Sequence, residues 1–98
     1  MKGRERFERT ERCIIMEGFD GEYYIFNEEN RRFVETDSVG AYALSLINGE
    51  RRFKQIVDAV HERFRKMDVS YEEIFEKVKE TFESAMRIGA IKKKIFPW

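Results

Sequence analysis

The chain has 98 residues, of which 42% are hydrophobic and 39% charged. That is enough for one small domain with a single core, and it excludes a disordered chain. Lysine plus arginine and aspartate plus glutamate both number 19, so the formal net charge is zero, which counts against general nucleic-acid binding because that affinity comes from neutralising phosphates. A single cysteine, Cys13, excludes an internal disulfide. With His61 as the sole histidine, the usual zinc ligand sets are out of reach. No apolar run approaches membrane-spanning length, and the opening MKGRERFERTER lacks the apolar centre of a signal peptide. A cytoplasmic setting is expected.

Residues 1–11 alternate in charge and read as a flexible arm or frayed strand. Three strands follow, over Cys13–Glu17, Glu22–Phe26 and Arg32–Glu35, each rich in β-branched or aromatic residues. Asp20–Gly21 predicts a tight hairpin turn with positive φ. Asn27–Asn30 predicts a second turn, with Asn30 in the left-handed position. Alternation sends Tyr23 and Ile25 to one face of the sheet and Tyr24 and Phe26 to the other. Both faces are apolar, so the second needs cover: the arm, the C-terminal IFPW, or another protein.

Helix one starts at Thr36 or Asp37, carries Val39, Tyr42, Ala43, Leu46 and Ile47 at helical spacing, and stops at Gly49. Helix two carries Phe53, Ile56, Val57, Val60 and Phe64 and ends near Met67. Helix three is capped by Ser70, with Glu73 placed to complete a capping box and Val69 and Ile74 to form a hydrophobic staple. Its stripe is Tyr71, Ile74, Phe75, Val78, Phe82, Ala85 and Met86, and Gly89 ends it. The predicted class is α+β in the order βββααα: a three-stranded antiparallel meander followed by a three-helix, winged-helix-like bundle. The arm is residues 1–11, the domain 12–93 and a basic tail 94–98.

No catalytic constellation is present. Cys13 reads as a buried structural thiol and His61 as a residue at the boundary of an apolar stripe. The glycines form no phosphate loop, and the carboxylates have neither metal-binding nor EF-hand spacing. No cofactor or metal is expected. The rival reading is a winged-helix transcriptional regulator. Its last helix would enter the major groove, yet here that helix carries Glu72, Glu73, Glu76, Glu80 and Glu83 against Lys77, Lys79 and Arg87. Phosphates would repel it.

The order of elements, with the block FVETDSVGAYALSLINGERRFKQIVDAVHERF and the ending SAMRIGAIKK, resembles the PqqD-like family, the peptide-binding domains called RiPP recognition elements. The residues that carry the likeness are Phe33, Val34, Thr36, Ala43, Leu46, Ile47, Gly49, Phe53, Ile56, Val57, Phe64, Gly89 and Ile91, over about residues 12–93. The acidic residue usual before the helix-two isoleucine is replaced by Lys54–Gln55.

The resemblance implies a non-catalytic adaptor that binds the leader of a ribosomally made precursor peptide and presents it to a separate modifying enzyme, such as a radical-SAM protein. The leader would add as an antiparallel strand to the third strand, at Arg31, Arg32, Phe33, Val34, Glu35 and Thr36. The groove wall would be Tyr71, Ile74, Phe75 and Val78 on helix three. The twice-apolar hairpin is the expected contact for the enzyme or for a homodimer.

Overall fold

The computed structural model describes residues 1–95. Strands β2 (Cys13–Glu17), β3 (Tyr23–Asn27) and β4 (Arg32–Thr36) form an antiparallel sheet in that order, so β2 and β4 are both edges. Helices α1 (Ser38–Ser45), α2 (Phe53–Arg63) and α3 (Tyr71–Arg87) follow, with a 3₁₀ turn at Arg65–Met67 between the last two. The α+β architecture expected from the sequence is present.

The first hairpin turns through Asp20 and Gly21, both at positive φ (56° and 77°). In the second turn the left-handed residue is Arg31 (φ 59°), not Asn30. Asn30 is used otherwise. Its Oδ1 accepts from the Arg32 amide at 3.0 Å and its Nδ2 donates to the Ile88 carbonyl at 3.0 Å. Asn27, buried in β3, donates to the same carbonyl at 2.8 Å. Two asparagines thus tie the hairpin to the last turn of α3 and satisfy a carbonyl that the helix leaves open.

Asp37 caps α1, its Oδ1 accepting from the Gly40 amide at 3.0 Å. The helix ends at Ser45 rather than running to Gly49, which lies in the following turn at φ +83°. Ser70 caps α3, accepting from the Glu73 amide at 3.1 Å. The reciprocal bond expected of a capping box occurs on α2 instead, where the Arg52 amide donates to Gln55 Oε1 at 2.8 Å.

Of the two forms expected for the N-terminal segment, arm or strand, the strand is present. Phe7–Arg9 forms strand β1, which pairs antiparallel with β5 (Ile91–Lys93). Phe7 is 1% exposed and meets the Phe82 and Phe53 rings edge-on, with centroids 5.0 and 6.1 Å away. Leu44, Ile56, Val57, Val60, Ile74, Val78 and Ala85 complete the core between the helices and the inner face of the sheet. The outer face of the sheet carries Ile14, Met16, Tyr24, Phe26 and Phe33, with Met16 46% and Phe33 61% exposed. The strand-forming N-terminal segment does not shield it, and most of the IFPW segment lies outside the described residues. Among the described residues no helix is long and apolar enough to cross a membrane.

Candidate functional site

β4 hydrogen-bonds to β3 on one side only. In an antiparallel ladder alternate residues turn their N–H and C=O groups to opposite sides, so half of the β4 backbone groups face away from the sheet. Val34 and Thr36 point inward, toward the helices, and Phe33 and Glu35 point outward, as their pairing with Ile25, Tyr23, Phe26 and Tyr24 requires.

Beside this edge runs α3. Thr36 Oγ1 and Thr81 Oγ1 lie 3.3 Å apart, and the Thr81 hydroxyl donates to the Lys77 carbonyl at 2.9 Å. The hydrogen between the two threonines therefore belongs to Thr36. Lys77 Nζ reaches Asp37 Oδ2 at 3.1 Å. Burial acts to raise the Asp37 carboxyl, but the Gly40 amide, Lys77 and the Val39 amide outweigh it and hold the group below its ordinary value. Gly40 makes this close approach possible, since a Cβ there would overlap Thr36 Oγ1 and sit 2.7 Å from Thr81 Oγ1. The strand, the N-terminus of α1 and the middle of α3 are thereby locked together.

Above that lock lies an open cleft of about 480 Å³, lined by Glu35, Thr36 and Asp37, by Lys77, Glu80, Thr81 and Ser84 of α3, and by Asp20, Gly21 and Glu22 at the tip of the first hairpin. It is polar. Tyr71, Ile74, Phe75 and Val78, expected as the wall of a peptide groove, do not line this cleft. Ile74 and Val78 are buried in the core. The Tyr71 hydroxyl donates to Asp58 of α2 at 2.8 Å, and the Phe75 ring packs on Phe53 at 5.3 Å. All four sit on the side of α3 that packs into the helix bundle. The residues facing β4 are about a quarter-turn away, at Lys77, Thr81 and Ser84. A signal for them existed: Thr81 is a small polar residue between apolar stripe positions, and it is 6% exposed.

Cys13 is buried at the start of β2, paired with Asn27. His61 stacks edge-on against Tyr71 at 5.5 Å. Among the described residues no group of three His, Cys, Asp or Glu side chains could hold a metal ion.

The fold is similar to that of a solved structure, TbiB1 in complex with the TbiA(β) leader peptide, with a TM-score of 0.64 and 15% identity. The match covers 91% of this chain and 99% of that one. No curated protein matches the chain. The family model for coenzyme PQQ synthesis protein D matches residues 22–91, from the first hairpin through the start of β5, and the chain belongs to this PqqD family.

Proposed function

We propose that this protein is a non-catalytic adaptor that binds the leader of a ribosomally synthesised precursor peptide by strand addition at β4 and presents it to a separate modifying enzyme, such as a radical-SAM protein. The observation that carries this is the unpaired β4 edge beside an open cleft against α3, in a chain of the PqqD family. Main-chain bonds along such an edge supply affinity, and alternate side chains supply specificity. The binding residues are Arg31, Arg32, Phe33, Val34, Glu35 and Thr36, with the cleft side of α3 in place of the stripe of Tyr71, Ile74, Phe75 and Val78. The likeness to a leader-bound fold supports the same reading.

The outer face of the sheet goes to the modifying enzyme or to a second copy in a homodimer, and sedimentation of the isolated protein distinguishes the two. The regulator reading gains nothing from the structure, because Glu72, Glu73, Glu76, Glu80 and Glu83 are all exposed on α3. The test is an NMR titration of labelled protein with the leader half of a short peptide encoded nearby, with random duplex DNA as control. Shifts confined to residues 31–36 and to the cleft side of α3 are expected. Shifts with DNA alone, weakened by salt, overturn the proposal.

A further inference from the structure

The β4 edge is electrostatically polar along its length. At its Thr36 end stand the carboxylates of Glu35, Glu80, Glu22 and Asp20, all exposed. The one lysine among them, Lys77, is already engaged by Asp37. At the other end stand Arg31 and Arg32, also exposed. Among the described residues none of these four acids has a basic partner, and neither arginine has an acidic one. The five residues of β4 span roughly 13 Å, more than the screening length of about 8 Å at physiological salt. The two ends therefore act on different parts of an occupant.

Between them the outer face presents a row that runs Ile14, Phe26, Phe33 across the three strands and stops at the edge. Phe33 leans on Tyr24 at 5.9 Å and is otherwise open. A fourth strand would extend the row by one side chain. Cross-strand pairs in this position attract when both are apolar, or when the charges are opposite.

Resting on the proposed strand addition, we infer that the occupant of the β4 edge is a peptide segment read in one charge order. In its own N-to-C direction it carries basic residues, then an apolar or aromatic residue against Phe33, then acidic residues. Antiparallel pairing sets the order. The residue opposite Phe33 points outward; two positions earlier the peptide meets Glu35, and past the other end of β4 it nears the turn that carries Arg31. Just before the Glu35 position, an inward residue opposite Thr36 enters the cleft below Glu80 and Thr81. The acidic cleft alone makes no site; the charge gradient along an open backbone edge, centred on an exposed phenylalanine, does.

The probes are three synthetic peptides of about ten residues, the first two of one composition. One has lysines first, a valine–phenylalanine–valine centre and glutamates last. The second has the charges exchanged. The third keeps the first order but replaces the phenylalanine by serine. Each is titrated into labelled protein at low salt, and amide shifts of residues 31–36 are followed. The first peptide binds roughly tenfold more tightly than the second, two favourable cross-strand pairs having become unfavourable, and the third is weaker than the first. In the double variant E35K/E80K, which carries basic residues at both ends of the edge, the preference between the first two is lost. Equal binding of both charge orders, or a preference for the exchanged one, overturns the charge reading while leaving strand addition intact. No shift at residues 31–36 with any peptide at millimolar concentration overturns the strand addition itself.

Discussion

Gly40 is the tightest point beside the proposed site, and its replacement by alanine tests how the site is held. The new Cβ would overlap Thr36 Oγ1 and come within 2.7 Å of Thr81 Oγ1 and 3.0 Å of Thr81 Cγ2. One of these is the free end of a threonine that can turn, but turning it breaks the Thr36–Thr81 hydrogen bond. Forcing a methyl into a packed contact costs about 1–3 kcal/mol. Losing a half-buried neutral hydrogen bond adds about 1 kcal/mol. Better helix propensity of alanine in α1 returns about 1 kcal/mol. The net expectation is a loss of about 2 kcal/mol in urea unfolding followed by circular dichroism, with the denaturant slope unchanged.

The double variant G40A/T36A removes the overlapping hydroxyl. It should therefore be less unstable than the sum of its single changes by about 1 kcal/mol, a coupling that a double-mutant cycle reads directly. If G40A is as stable as the parent, or if the two changes simply add, the close packing of strand and helix described here is wrong. The same variant pushes β4 from α3, so peptide affinity should fall alongside stability.

Two further outcomes follow from the structure. The Asp37 carboxyl is held below its ordinary value of 3.8, so its stabilising contribution is present above that value and is lost as pH falls through the lower, folded-state value. Asp37→Asn keeps a good cap, and should cost less than about 1 kcal/mol at pH 7 while flattening the decline of stability below pH 3.8; an unchanged acid limb refutes this. Phe7→Ala should cost about 3–5 kcal/mol, as expected for an aromatic side chain lost from a core, whereas a flexible arm would give no change in the unfolding midpoint.

Local signals and long-range pairings were not equally legible in the sequence. The limits of β2 and the turn at Asp20–Gly21 are legible, because alternation and a two-residue turn are properties of neighbouring residues. The helices were legible from their stripes and the Ser70 cap. The β1–β5 pair was not. In RERFERTER the apolar content is Phe7 alone, and its partner strand begins more than eighty residues later, so nothing local marks either segment as a strand. In the second turn, composition favoured Asn30 for the left-handed position, but its side chain is needed by Ile88 and the strain passes to Arg31.

The two elements of the proposed site rest on different signals in the sequence. Its strand followed from edge position and family likeness. Its helical wall followed from apolar spacing on α3, which also marks the face that enters the core, whereas the polar cleft beside β4 lies on the flank of that stripe.

The ribbon of β1 and β5 also sets how the domain responds to force. Phe7 lies opposite Lys93 and Arg9 opposite Ile91, and the Lys94 amide donates to the Arg6 carbonyl at 2.9 Å. The outgoing ends of both strands therefore leave from the same end of the ribbon. Tension applied through the two flanking segments first meets the bonds from the Lys54 and Phe53 amides to the Gly3 and Glu5 carbonyls, then loads the Lys94–Arg6 bond and each cross-strand bond in turn, so the ribbon unzips rather than shears. Phe7 would leave the Phe53–Phe82 cluster at an early stage of that opening. A domain tethered on both sides would thus open from its ribbon, once the contacts of residues 3–6 with α2 give way, before the three-stranded sheet is pulled directly.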